Sequence, residues 1–447
     1  MPKLHPHLVE GIIQALLEVF HDGRAEKIVE TTLKSRTKWG ARDRRFFAES
    51  IYECVRWRRR LYYAGISGSD EGGEQDYLDK SRMTYSCVQK MWYAWWLMKP
   101  ENQHLLKSPV IATDKSVIQF SQNPVSAWNV IPNEKRAIRE SIPDWLDNLG
   151  EHELGNDWPP VLSALNLPAL VYLRTNRILT DRDTVLKKLT AEGISASPAE
   201  EGVDAVKLAE RKNVFITDTF KKGFFEVQDL GSQQIVPFLQ VQPGMRVIDA
   251  CAGGGGKSLH IASLMKNKGR IIALDKNDWR LKPLRQRATR AGADIIETKI
   301  ITSSKIIKRL HESADRVLLD VPCSGLGVLR RSPDTKWKLT QNEIDQLKQV
   351  QQQILQTYSA MTARGGILVY STCSVLPAEN QNQIDIFLNS AAGKNWELQE
   401  ELNIFPSAAA SPVSVMEDHK VNPGSRPRRI QYLNSDGFYI ARLKRVQ

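Results

Sequence analysis

The stretch Val247-Ile248-Asp249-Ala250-Cys251-Ala252-Gly253-Gly254-Gly255-Gly256-Lys257-Ser258 constrains this chain more than any other. An apolar run ends in an acid, four consecutive glycines follow, and Leu259 to Met265 resumes at helical spacing. Strand, glycine loop and helix in that order let the backbone approach a ligand closely and leave helix N–H groups pointing at it. The ending Gly256-Lys257-Ser258 mimics a phosphate-binding P-loop. That loop needs a further glycine where Cys251 stands, which argues against a nucleoside triphosphatase.

Short apolar runs separated by helices surround this loop. They are Arg246 to Ala250, Arg270 to Asp275, Asp294 to Glu297, Val317 to Val321 and Gly366 to Ser371, with a terminal pair, Ile430 to Leu433 and Phe438 to Leu443. Near-continuous apolar runs suit a parallel sheet covered on both faces, so the expected fold is a doubly wound α/β sheet with ligands at the carboxyl ends of its strands. Thr340 and Glu343 form a capping box before the helix Ile344, Leu347, Val350, Ile354. Upstream, Ala169 to Leu173, a helix from Asp183 to Glu192, Ala205 to Leu208, a short helical piece and Phe224 to Val227 read as a small ferredoxin-like β-α module.

The 447 residues fit roughly three compact units, and 41% hydrophobic with 25% charged residues excludes wholesale disorder. The expected organisation is an all-α basic region over 1–122, a proline-punctuated connector over 123–160 with one helical pattern from Glu134 to Leu149, the small module over 161–230 and the sheet domain over 231–447. Gly65 to Gly73 reads as a flexible excursion. Gln14 and Glu18 interrupt the first apolar stretch, so no signal peptide is expected, and Met91 to Met98 is too short to span a membrane. A soluble cytoplasmic protein with no membrane partner follows as the expectation.

Lys+Arg 62 against Asp+Glu 51 leaves +11, which favours a polyanionic partner. Much of the excess is concentrated in Arg36, Lys38, Arg42, Arg44, Arg45, Arg56, Arg58, Arg59 and Arg60, with Trp39 and Trp57 among them. This set reads equally as a solvated helical face and as a phosphate-tracking surface with stacking aromatics.

Three strand ends carry chemistry. Asp275 closes the second strand, where a carboxylate holds both hydroxyls of a ribose; with the glycine loop it points to an adenosine cofactor. Asp320-Val321-Pro322-Cys323 ends the fourth, and Ser371-Thr372-Cys373-Ser374 the fifth. Three of the five cysteines, Cys251, Cys323 and Cys373, therefore fall at one edge. A thiol there is either a buried structural residue or a nucleophile activated by nearby positive charge, which Lys257 can supply. The five are odd in number and scattered without a Cys-x-x-Cys pair, so neither a disulfide framework nor a metal site is expected.

Asp320-Val321-Pro322-Cys323-Ser324-Gly325, Ser371-Thr372-Cys373-Ser374 with Glu379-Asn380, and Arg330-Arg331-Ser332-Pro333-Asp334-Thr335-Lys336-Trp337 resemble the Sun family of RNA cytosine-5 methyltransferases, in its bacterial small-subunit ribosomal RNA branch. Gln228-Asp229-Leu230-Gly231-Ser232-Gln233 and Asp436-Gly437-Phe438-Tyr439 add to the likeness, which runs from about Pro143 to Leu443. The N-terminal helices faintly resemble the NusB-like RNA-binding domain of that branch.

The resemblance implies a Rossmann-like class I methyltransferase sheet and S-adenosylmethionine as cofactor. Its binding residues would be Asp249, Cys251, Ala252, Gly253, Gly254, Gly255, Gly256, Lys257, Asp275 and Asp320. It further implies Cys373 as the nucleophile at cytosine carbon-6, Cys323 for proton removal and release, Asp320 on the cytosine edge and Lys257 assisting. The implied partner is RNA, ribosomal and single-stranded or looped, bound by a monomer. Two departures stand out. The family's Cys-Ala-Ala-Pro-Gly-Gly-Lys loop lacks its proline here, which implies weaker cofactor binding, and Lys299 to Lys305 offers no acid for the adenine. A transfer RNA or DNA cytosine-5 methyltransferase, and an inactive RNA-binding scaffold, are the alternatives.

Overall fold

The computed structural model describes residues 5–67, 77–102, 111–113, 116–118, 124–129, 135–408 and 429–446. They form two compact units: Met1–Asn166 with Leu329–Leu339, and Leu167–Val328 with Thr340–Gln447.

The first unit is helical. Its main helices are Pro6–Phe20, Ala25–Ser35, Ala41–Arg56 and Tyr85–Met98. Pro6 starts the first with its φ already set for a helix, and Ile12, Ile13, Leu16 and Phe20 bury one stripe against the shared core. Thr84 caps the last by accepting from the Cys87 N–H, and its Trp92 and Tyr93 rings meet at 4.8 Å inside that core. A short hairpin, β1 (Ile111–Thr113) and β2 (Ser116–Ile118), also lies within this stretch of chain.

The stretch expected as a connector adds helices Asp144–Leu154 and Trp158–Leu165 to this unit. The single helix expected from Glu134 to Leu149 is broken into Arg136–Arg139 and Asp144–Leu154, because Pro143 forces Ile142 out of the helical region and Ser141 turns at φ +51°. Of the glycine-rich excursion from Gly65 to Gly73, residues 68–73 lie outside the described residues. Residues 329–339 belong here too. Trp337 Nε1 donates to the Val55 carbonyl at 2.6 Å, and Lys338 donates to the Gly23 carbonyl.

The second unit carries two sheets. The smaller has β3 (Tyr172–Thr175), β4 (Ala196–Pro198), β5 (Ala205–Leu208) and β6 (Phe225–Val227) in the order β4-β5-β3-β6, every pair antiparallel. With helices Arg182–Ala191 and Asp218–Lys221 this is the ferredoxin-like arrangement. Strand β4 was not expected. Its three residues sit at the edge, largely exposed and ending in a proline, so they carry no apolar alternation.

The larger sheet has eight strands: β7 (Arg246–Asp249), β8 (Arg270–Asp275), β9 (Ile296–Ile300), β10 (Ala314–Asp320), β11 (Thr362–Thr372), β12 (Trp396–Pro406), β13 (Ile430–Leu433) and β14 (Phe438–Arg445). Their order is β13-β12-β14-β11-β10-β7-β8-β9, parallel from β9 through β11. Apolar cores cover both faces, around Val247 and Val369 on one and Ile248 and Leu368 on the other, so the expected Rossmann-like sheet is present. The two terminal strands do not pair with each other: β12 lies between them, parallel to β13 and antiparallel to β14. The sequence hid β12 because Glu397, Glu400 and Glu401 interrupt its apolar residues.

The chain winds from β7 toward β9 and then restarts on the other side with β10, so the loops after β7 and β10 diverge and open a crevice between them. Register sets what faces it: Asp249 pairs with Leu318, and Asp320 with Ser371. Among the described residues no helix is long and apolar enough to cross a membrane.

Candidate active site

The loop after β7 is held by its glycines. Gly255 adopts φ +82° as the helix Gly256–Leu264 begins, and an added Cβ would stand 2.1 Å from Leu284 Cδ1, so no larger residue fits. Asp275 at the end of β8 accepts from the Gly253 N–H at 3.1 Å and the Asn277 N–H at 2.9 Å, which ties two strand-end loops together. Asp249 is buried and accepts from Ser258 Oγ at 2.6 Å. Its burial, with Asp320 nearby, pushes its carboxyl up to about 6.

These loops wall a cleft of about 500 Å³. Asp249, Cys251, Ala252, Gly253, Gly254, Gly255, Gly256, Lys257, Asp275 and Asp320 all line it. Three acids, a run of glycine backbone and the apolar Ile301 and Tyr358 suit a ligand with a ribose, a charged end and a flat ring. Ile301 follows β9 directly, where no acid was found in the sequence, so an apolar side chain stands there instead. Cys251 half-lines the wall, and burial pushes its thiol far up, so it stays neutral.

Lys257 joins this cleft to the strand end beyond it. Its Nζ lies 2.6 Å from Asp320 Oδ2, while Asp320 Oδ1 accepts from Ser371 Oγ at 2.9 Å. Burial opposes the ammonium charge, but the Asp320 carboxylate outweighs it and holds the Lys257 pKa above its ordinary value.

Cys323 and Cys373 lie outside the cleft lining but against each other, Sγ to Sγ 3.3 Å. The hydrogen bond with Cys373, reinforced by burial and the Glu379 carboxylate, pushes the Cys323 thiol well up. Lys257 is close enough to Cys373 for their charges to interact.

Buried polar groups hold both thiol loops. Glu379 accepts from the Ser324 N–H at 2.8 Å, from Ser324 Oγ, and from Gln351 Nε2 at 3.0 Å. Gln351 Nε2 also donates to the Pro322 carbonyl at 3.0 Å. Asn380 accepts from Thr372 Oγ1 at 2.6 Å and donates to the Ser374 carbonyl at 3.0 Å. Sequence reasoning missed Gln351. The signal was present, since it is a polar residue on the apolar face of the helix Gln341–Tyr358, seven positions after Ile344 and four after Leu347.

The basic set of the helical unit divides in two. Arg36, Lys38, Arg42 and Arg45 are exposed. Arg56, Arg58 and Arg59 are buried, which corrects the reading of Arg36 to Arg60 as one phosphate-tracking surface. Arg56 donates to the carbonyls of Leu329 and Arg330, and Arg59 to the Ile142 carbonyl at 2.9 Å and to Asp144 at 2.7 Å. Arg60 stacks on Trp128 with its guanidinium 3.8 Å from the ring centre, and Trp57 packs on the same ring. These cations serve the helical core, as does the half-buried Arg44, which donates to the Trp39 and Leu33 carbonyls, leaving Arg36, Lys38, Arg42 and Arg45 facing solvent. Among the described residues no cluster of metal-ligating side chains occurs.

Residues 236–444 match the family described as 16S rRNA methyltransferase RsmB/F, and residues 142–215 match the RsmF/B-like ferredoxin-like domain. A probable ribosomal RNA small subunit methyltransferase B of Bacillus subtilis (strain 168) is 32% identical over 320 residues, 70% of this chain and 68% of that protein. Ribosomal RNA small subunit methyltransferase B of Pseudomonas syringae pv. tomato is 32% identical over 395 residues, covering 87% and 79%. The crystal structure of NSun6 from Pyrococcus horikoshii with SFG matches at a TM-score of 0.58 and 20% identity, over 69% of this chain and 99% of that one, a likeness of fold.

Proposed function

Because this chain belongs to the RsmB/F family of ribosomal RNA small subunit methyltransferases, we propose that it methylates carbon-5 of a cytosine in ribosomal RNA through a covalent Cys373 adduct. Its cofactor is S-adenosylmethionine. Bound across the glycine loop, the cofactor supplies an electrophilic methyl group on sulfur. Asp275 would hold its ribose, and Asp249 and the loop backbone its remaining polar groups.

Carbon-5 of cytosine is too electron-poor to take a methyl group unaided. The Cys373 thiolate adds to carbon-6, and the ring electrons move toward carbon-5 and the ring nitrogen N3. Asp320 uses two acceptor positions on Lys257 and Ser371, which leaves its remaining lone pairs for the exocyclic amine of the base. Lys257 offsets negative charge developing on the ring. After methylation, Cys323 first gives its own proton to solvent and then, as a thiolate, takes the carbon-5 proton. The electron pair returns to the ring and expels Cys373, restoring aromaticity.

The 3.3 Å contact between the two thiols carries this reading, because one thiol must bond the base while the other reaches the neighbouring carbon. The target base must leave its stack to reach them, which favours loops and unpaired RNA. The exposed Arg36, Lys38, Arg42 and Arg45 suit the flanking phosphates.

Incubation with substrate RNA and S-adenosylmethionine tests the assignment. Cys323→Ala should accumulate a protein–RNA adduct that survives denaturation, and Cys373→Ala should form none. The reverse pattern would make Cys323 the nucleophile, the logic of the DNA enzymes. Bisulfite mapping of cellular RNA with and without the gene then locates the cytosine.

A further inference from the structure

The four glycines 253–256 give the cofactor loop more backbone freedom than any side-chain-bearing segment would have, since none has the Cβ that restricts φ and ψ. Two bonds restrain it from within the cleft wall: Gly253 N–H to Asp275, and Gly255 N–H to the Ala252 carbonyl at 2.9 Å. Two more take the loop by its carbonyls. Arg287 Nη1 donates to the Gly254 carbonyl at 2.6 Å, and Arg174 Nη1 to the Gly256 carbonyl at 2.8 Å.

Both arginines are themselves fixed. Glu226, 3% exposed on β6, receives Arg287 Nη2 at 3.0 Å and Nε at 3.2 Å, and pairs with Arg290 as well. Arg174, 1% exposed on β3, also donates to the Gln228 side chain. Burial lowers its pKa to about 10, so it keeps its charge at neutral pH. A peptide unit is planar, with its C=O and N–H pointing in opposite directions. Fixing the Gly254 and Gly256 carbonyls therefore fixes the N–H groups of Gly255 and Lys257, and with the second of these the start of the helix that carries Lys257.

We propose that Arg287 and Arg174 are positioning residues for S-adenosylmethionine: they grip the tetraglycine loop by its carbonyls and supply the stiffness its four glycines lack. The ferredoxin-like sheet, which contributes Arg174 and Glu226, is thereby part of the cofactor apparatus and not only a neighbour of it. This inference rests on reading the cleft as the cofactor site.

Isothermal titration of full-length protein with S-adenosylmethionine tests it, in wild type, Arg287→Ala, Glu226→Gln and the double variant Gly254→Ala/Arg287→Ala. Arg287→Ala should raise Kd about tenfold, as loss of a charge-assisted hydrogen bond would, and leave RNA affinity unchanged. Glu226→Gln should raise it less, since it loosens Arg287 without removing it. Gly254 is not in the left-handed region, and an added Cβ would meet Arg287 Nη1 at an ordinary 3.6 Å, so alanine fits there. Because alanine narrows backbone freedom, the double variant should recover part of the lost affinity. A contact made by Arg287 on the cofactor itself would not be recovered in this way. Kd within twofold of wild type in Arg287→Ala, or no recovery in the double variant, would overturn the proposal. A wild-type protein that binds no S-adenosylmethionine would instead bring down the cofactor reading beneath it.

Discussion

The Glu379 carboxylate accepts the backbone N–H of Ser324 at 2.8 Å, so a residue six positions beyond Cys373 holds the residue that follows Cys323. The two thiol loops thus share one buried anchor, and neither can move far without the other. Glu379→Ala leaves that N–H, the Ser324 hydroxyl and Gln351 without their acceptor. A cost of about 1–3 kcal/mol is expected for each buried group left unsatisfied, read as a fall in Tm. Glu379→Gln keeps one acceptor oxygen and should recover most of the stability. Its methylation rate should nevertheless fall, because the thiol spacing depends on the full bidentate grip. An unchanged kcat in Glu379→Gln would show that the anchor serves the fold alone.

Asp249 gives the fold a pH dependence of defined sign. Its carboxyl is raised from an ordinary 3.8 to about 6, chiefly by burial, so the native state holds a proton that the unfolded chain has already released between those values. Stability from this group is present below about pH 4 and is lost as pH rises through about 6. Asp249→Asn, which can still accept from Ser258, removes the dependence. Relative to wild type, the variant should gain stability from about pH 4 to about pH 7, on the order of 3 kcal/mol. Parallel denaturant titrations of the two proteins measure the difference, and a flat difference would contradict it.

Gly255→Ala should damage the cofactor cleft directly. The left-handed φ of +82° costs an alanine about 1–2 kcal/mol, and its Cβ must also displace Leu284. Lower Tm and weaker S-adenosylmethionine binding are expected together. Gly244→Ala provides the control: it also stands at positive φ, but an added Cβ there meets nothing, so it should lower Tm without a matching loss of affinity.

The two halves of the basic set should respond to mutation in opposite ways. Arg59→Ala removes a buried guanidinium from Asp144 and the Ile142 carbonyl, and should lower Tm by several degrees. Lys38→Glu with Arg42→Glu should leave Tm nearly unchanged, weaken RNA binding and flatten its salt dependence by about one unit of slope per cation lost. RNA affinity that ignores the exposed pair would place the binding surface elsewhere.

The cofactor side of the site was legible because its parts lie next to one another in sequence. Asp249, the glycines, Lys257 and Asp275 each stand at or just beyond the end of an apolar run, and the strand-end rule locates them without tertiary information. Gln351 showed only as a polar residue on an apolar helix face, and the Arg174 and Arg287 contacts were not legible at all. They depend on which carbonyl or carboxylate a distant element presents, and the chain records only that the residue is polar. Arg56 and Arg59 misled for the same reason, since a run of charge looks alike whether water or a backbone carbonyl receives it. Strand β12 escaped because its glutamates find partners across the sheet: Arg442 meets Glu400 at 2.9 Å, and the Tyr439 hydroxyl donates to Glu401 at 2.6 Å.

Residues 329–339 have a consequence for the protein's ancestry and for its manipulation. They are encoded within the methyltransferase half, a few positions after Cys323, yet they complete the helical unit, where Lys336 is buried and donates to Asn166 at 3.1 Å. A fragment ending at residue 166 would lack eleven residues of its own compact unit. A lineage that shed or exchanged the helical unit would have had to rewrite a piece of its catalytic half in the same step, so the two parts are expected to be inherited together.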